Sequence, residues 1–261
     1  MSAEAFRQKI EQPHDRVIVA LDNMGWGQAE EIMGEVGPHV GMAKANALAQ
    51  KRGWQHAVRA IWQLGAFTMA DPKYKDIPST MNNHLKEITE CLPTLVTIHA
   101  DNTPAALSAA VDGRDKGKER LLRTPWDSDV GLSGGILGVT VMTSYDKEDC
   151  QSIYGDTPEK KVVQFAETAA EAGLDGIVCS PKELKAIRAI SEFDDLLTVV
   201  PGITPEWAKK PDDQKRISTP TEAITDGADF LVIGRAIIKP PEDIPRDEAA
   251  QRIAQEIKEA L

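Results

Sequence analysis

The sequence predicts an α/β chain folded as a single (β/α)8 TIM barrel. Short apolar, β-branched runs alternate with amphipathic helical patterns along the whole chain, and such alternation demands a parallel sheet. Eight of these runs occur, the number that closes a parallel sheet on itself. The 261 residues carry no dividing linker, and that length is ordinary for one barrel spanning residues 1–261.

The first strand is expected at Val17–Leu21, a continuous apolar run of the kind buried on both faces. Asp22-Asn23-Met24-Gly25 follows it and is no Gly-rich phosphate turn, which disfavours a doubly wound open sheet. A helical pattern over Gln28–Val36 leads to a second strand at Val40–Ala45. Another, Gln55–Leu64, leads to a third at Ala66–Ala70. The helix Ile77–Cys91 contains Pro78 near its start, where a missing N–H is harmless. Strand four follows at Leu95–Ala100.

After the fourth helix, Asp112–Gly135 is expected to be an irregular insertion before strand five, charged first and then Ser/Gly-rich. It belongs to the barrel end opposite the catalytic face, as a solvated loop or a subunit contact. Strand five is expected at Ile136–Met142 and its helix at Glu159–Ala172. Strand six is Gly176–Cys179, with a helix over Pro181–Ile190, and strand seven is Leu196–Val200. A long polar stretch over residues 203–216, a closing loop for an anion, precedes a helix at Thr221–Asp226. Strand eight is Phe230–Ile233, and the last helix is Asp247–Ala260.

A net charge of −11 argues against a nucleic-acid partner but leaves room for an anionic substrate in a local field. Cys91, Cys150 and Cys179 are too scattered for a zinc or disulfide pattern. No apolar stretch has the length of a membrane span, and Met1–Gln12 is too polar for a signal peptide, so a cytoplasmic location is expected.

In a (β/α)8 barrel, chemistry sits at the C-terminal ends of the strands. Here those ends carry Asp22, Lys44, Asp71 and Lys73, then His99 and Asp101, then Thr143 and Ser144, Pro201-Gly202 and Gly234-Arg235. The segment Asp71–Thr80, D-P-K-Y-K-D-I-P-S-T, is the most informative. The period of a strand aims Asp71 and Lys73 the same way, and opposite charges desolvated together either pair or act. The plain alternative is a salt-bridged strand end with Asp76 capping the next helix. His99 reads as a packed histidine, and Tyr74 and Lys75 as surface. Gly234 allows close backbone approach and Arg235 offers a bidentate guanidinium, together suiting a phosphate, with Gln214 in the loop after strand seven.

These blocks resemble the orotidine 5'-monophosphate decarboxylase family. The carriers are A-L-D (Ala20–Asp22), M-A-K ending at Lys44, the Asp71–Thr80 segment, V-T-I-H-A (Val96–Ala100), G-V-T-V-M-T-S (Gly138–Ser144), P-G-I (Pro201–Ile203), D-Q-K-R (Asp213–Arg216) and V-I-G-R-A-I (Val232–Ile237). They stand in family order over nearly the whole chain. The resemblance implies a homodimer that converts orotidine 5'-monophosphate to UMP and CO2 with no metal or organic cofactor. Lys44, Asp71, Lys73 and Asp76 match the family's alternating charged array. Asp22 and Lys44 match ribose contacts, Thr143 and Ser144 a pyrimidine contact, and Pro201 an apolar wall beside the departing CO2. Gln214, Gly234 and Arg235 match the phosphate grip. Asp76, Ile77 and Thr80 match residues contributed across the subunit interface.

Departures from the family pattern are Pro72 within the motif, Ala45-Asn46 after Lys44, Ser79, and the length of residues 112–135. Pro72 removes a ladder N–H, which is tolerable at a strand end or marks a bulge that re-aims Lys73. Two other readings share parts of the pattern: a magnesium-dependent sugar-phosphate decarboxylase or aldolase of the same barrel superfamily, and a non-catalytic phosphate-binding barrel.

Overall fold

The computed structural model describes residues 3–121, 133–208 and 217–261. Eight parallel strands close into a barrel in sequence order, with β8 (Phe230–Ile233) pairing back onto β1 (Val17–Ala20). Between them stand β2 (Met42–Ala45), β3 (Phe67–Tyr74), β4 (Leu95–His99), β5 (Gly135–Val139), β6 (Gly176–Val178) and β7 (Leu197–Pro201). The predicted fold class is the one observed. No helix among the described residues is long and apolar enough to cross a membrane.

Strand alternation divides the core in two. Ile18, Met42, Met69, Leu95, Leu137, Leu197 and Phe230 point into the barrel. Their sequence neighbours, such as Val17, Val19, Ala43 and Ala70, pack outward against the helices. Phe6, on the short helix α1 (Ala3–Arg7), joins the interior set and stops the barrel's lower end. Arg7 holds that stopper through Asp229 at 2.8 Å. Burying a phenylalanine there stabilises the fold by about 2–3 kcal/mol. The sequence reading assigned no helix to this polar terminus.

Two expectations need correction. First, β3 does not end at Ala70 but continues to Tyr74. Ala70 lies opposite Val96 and Tyr74 opposite Ile98, so four steps of β3 match two of β4. Pro72 lacks the N–H that a regular ladder would use, and Lys73 takes φ +50° beside it. The bulge alternative is therefore the one adopted.

Second, residues 112–121 are not irregular: they continue the helix α6 (Pro104–Leu121), and residues 122–132 lie outside the described residues. The two glycines of the charged run make this possible. A Cβ at Gly113 would collide with the Asn82 carbonyl, and one at Gly117 with that of Lys86. Both carbonyls belong to α5 (Pro78–Thr89), so the glycines let the two helices pack backbone to backbone. Arg114 from the same run is buried, and its guanidinium reaches Asp175 at 2.6 Å.

The helices α2 (Trp26–Val36), α4 (Trp54–Gln63), α8 (Pro158–Glu171), α9 (Pro181–Arg188), α10 (Pro220–Thr225) and α12 (Arg246–Ala260) fall where the helical patterns predicted them. Three short ones had no separate signal: α3 (Ala47–Arg52), α7 (Lys147–Tyr154) and α11 (Arg235–Ile238).

Candidate active site

The C-terminal ends of the strands surround a cavity of about 580 Å³. Asp22, Lys44, Asp71 and Lys73 line one side of it. Thr143, Ser144 and Pro201 line a second side, and Gly234 and Arg235 a third. Nine of the sequence-selected residues thus meet at one opening, although they come from six strand ends. Asn23, Met24, Gln28, Thr204 and Lys239 also line it and were not selected. Of these, Lys239 had a signal: it stands four residues after Arg235, one helical turn along the same face.

Four charges form a chain along the floor. Lys44 Nζ lies 2.8 Å from both carboxylate oxygens of Asp22 and 3.0 Å from Asp71 Oδ2. Lys73 Nζ lies 2.6 Å from that same Asp71 oxygen. The Asp71 side chain is 3% exposed, whereas Lys73 is 29% exposed and forms the accessible end. The two residues stand at i and i+2 across the bulge, and Lys73 takes φ +50° there. That conformation costs on the order of 1 kcal/mol for a non-glycine residue and is offset by the contacts it creates.

Thr97 supplies the anchor that sequence reasoning overlooked. Its hydroxyl donates to Asp71 Oδ1 at 2.8 Å and accepts the Lys73 N–H at 3.1 Å. It is fully buried on the same β4 face as Leu95 and His99. A threonine in that inward row was the available signal, but its two partners lie 26 and 24 residues away.

The electrostatics keep the array ionised. Burial alone would raise the Asp71 pKa, but the ammonium groups of Lys44 and Lys73 outweigh it and hold the carboxyl below its ordinary value. Burial would likewise lower Lys44, but Asp71 and Asp22 reverse the sign and raise it. The alternative of a salt-bridged strand end is thus half true: the charges do pair, and they pair on the wall of an open cavity.

Asp76, Ile77 and Thr80 are not among the cavity-lining residues. Asp76 is exposed and its carboxylate accepts the Ile77 N–H at 2.7 Å. It does not cap α5, whose N-cap is Ile77 with Pro78 next, so the capping expectation fails. Ile77 is 63% exposed, unusual for an isoleucine. Gln214 lies outside the described residues. The base of its loop is described: Ile203 and Ser218 form a bridge, and Thr204 N–H donates to the Ser218 carbonyl at 2.9 Å. Tyr74 is half-buried against the His84 ring rather than on the surface. Among the described residues, no three His, Cys, Asp or Glu side chains converge as metal ligands would.

A family profile described as "Orotidine 5'-phosphate decarboxylase / HUMPS family" matches residues 15–253. An "Orotidine 5'-phosphate decarboxylase" of Heliobacterium modesticaldum is 36% identical over 252 residues, covering 95% of this chain and 97% of its own. One of Geotalea uraniireducens is 36% identical over 243 residues, covering 93% and 95%. Among solved structures, the orotidine 5'-phosphate decarboxylase of Lactobacillus acidophilus superposes with a TM-score of 0.74 at 28% identity, over 92% of this chain and 98% of that one.

Proposed function

The chain belongs to the orotidine 5'-phosphate decarboxylase / HUMPS family, and on that premise we propose that it converts orotidine 5'-monophosphate to UMP and CO2 in pyrimidine nucleotide synthesis. The observation that carries the reading is a buried Asp71 clasped by Lys44 and Lys73 on the wall of the cavity. Departure of CO2 leaves the bonding electron pair on C6 in the plane of the pyrimidine, where it has no enolate to delocalise into. The Lys73 ammonium, at the accessible end of the array, stabilises that pair and then delivers a proton to C6. Asp71 faces the substrate carboxylate, and their repulsion ends when CO2 leaves.

Lys44 stands between Asp22 and Asp71 and fixes both, so the charges need no reorganisation during the reaction. Asp22 and Lys44 also serve the ribose hydroxyls, Thr143 and Ser144 the ring, and Pro201 the wall beside CO2. Gly234, Arg235 and Gln214 take the phosphate at the far side. Binding energy from that distant group draws the 203–216 loop closed and is realised at the transition state.

The working unit is a homodimer in which Asp76, Ile77 and Thr80 complete the partner's cavity. The exposure of Asp76 and Ile77 supports this, since neither side chain is buried in its own barrel. Mixing Asp76→Asn protein with Lys73→Ala protein then regenerates activity, because one hybrid site is intact. A cytoplasmic location accords with a nucleotide substrate.

The deciding experiment is ultraviolet absorbance of orotidine 5'-monophosphate with purified protein and EDTA. Conversion of the orotate chromophore to that of UMP is expected. An unchanged spectrum with folded protein would refute the reading. Activity that required added magnesium would shift it toward the sugar-phosphate enzymes.

A further inference from the structure

We propose that Asp101 is a positioning residue for the reaction: it docks the Lys75–Asp76 turn onto the end of β4 and so sets where the Asp76 carboxylate is presented. The inference rests on the reading in which Asp76 completes a site. Among the described residues Asp76 makes no hydrogen bond or ion pair with Lys44, Asp71 or Lys73 of its own chain, so the charged array does not hold it. Its turn is held from the other side. Lys75 Nζ meets Asp101 Oδ2 at 2.8 Å, and Asn102 Nδ2 donates to the Asp76 carbonyl at 2.9 Å.

An exposed ion pair would count for little, but the acceptor here is fixed and mostly buried. The Asp101 side chain is 11% exposed. The Tyr154 hydroxyl donates to it at 3.2 Å, and His99 Nδ1 lies 3.3 Å away. Tyr154 in turn packs edge-on against Phe165 of α8, with ring centroids 5.2 Å apart. Burial would raise the Asp101 pKa, yet His99 and Lys75 hold it far below the usual carboxylate range. A carboxylate held in its charged form and braced by a partly buried tyrosine therefore receives the lysine that precedes Asp76. The two clamps grip a turn that follows a bulge and lies beyond Tyr74, the last paired residue of β3.

The test is a double-mutant cycle with orotidine 5'-monophosphate as substrate. Asp101→Asn and Lys75→Met are each measured in the wild-type and in the Asp76→Asn background, alongside thermal midpoints. Each single change is expected to lower kcat by about tenfold with KM within about twofold, as misplacement of a catalytic group does. Lys75→Arg retains most of the turnover. In the Asp76→Asn background neither Asp101→Asn nor Lys75→Met costs anything further, because the group they position is gone. Lys75 is half-exposed, so its change does not endanger folding. Full turnover in both single variants would overturn the proposal, as would an equal loss in both backgrounds, which marks a general structural effect. Full turnover of Asp76→Asn alone would instead overturn the reading on which the proposal rests.

Discussion

Replacing Thr97 by valine removes one hydroxyl from the centre of the site at nearly constant volume. The hydroxyl is the donor to Asp71 Oδ1 and the acceptor for the Lys73 N–H, and it is completely buried. Loss of a hydrogen bond to a charged group, leaving a buried oxygen without a donor, costs about 2–3 kcal/mol. The Lys73 N–H is only half-buried, so water can replace its acceptor and adds little. For a chain of this size the thermal midpoint falls by about 4–12 °C. Turnover falls by about 10- to 100-fold, because Asp71 can rotate and the Lys73 backbone loses its anchor. Thr97→Ser is the control: it keeps the hydroxyl and loses a methyl group worth about 0.8 kcal/mol. Urea denaturation and the ultraviolet assay read the two effects separately. A valine variant as stable and as active as the serine variant would refute the claim that this hydroxyl organises the array.

Lys73→Ala removes the group assigned to stabilise and protonate C6, and turnover should fall by at least ~10³-fold; near-normal turnover would sink the assignment. Stability should vary with pH on two limbs. The Asp71 contribution is full above its ordinary value of 3.8 and disappears as pH falls through its lower folded value. The Lys44 contribution is full below 10.5 and disappears as pH rises through its higher folded value. Denaturation midpoints across pH should therefore lose their alkaline limb in Lys44→Met and their acid limb in Asp71→Asn, and unchanged limbs would contradict the assignment. Gly113→Ala forces a methyl group into the Asn82 carbonyl and should destabilise by about 1–3 kcal/mol in urea titration; a neutral result would mean that α5 and α6 separate without penalty.

The amino-acid sequence by itself determined the barrel and most of the cavity's lining. Apolar runs with strand period, separated by helical patterns, are local signals, and closure in sequence order then delivers Asp22, Lys44, Asp71, Thr143, Pro201 and Arg235 to one rim. Side-chain chemistry did the rest, since a carboxylate and ammonium groups at adjacent strand ends have few inert reasons to converge.

Only the tertiary structure decided how those groups meet. Lys73 meets Asp71 at 2.6 Å across a slip of β3 against β4, and that slip involves a partner strand that no local pattern around Pro72 describes. Thr97 gained its role from residues 24 and 26 positions earlier. The charged run after Asp112 became helix because Gly113 and Gly117 face the carbonyls of α5, and because Asp175, 61 residues beyond Arg114, neutralises that buried arginine. Periodicity records which face of an element is buried. It does not record which atoms wait on the other side, and hydrogen bonding, desolvation and close packing depend on those atoms.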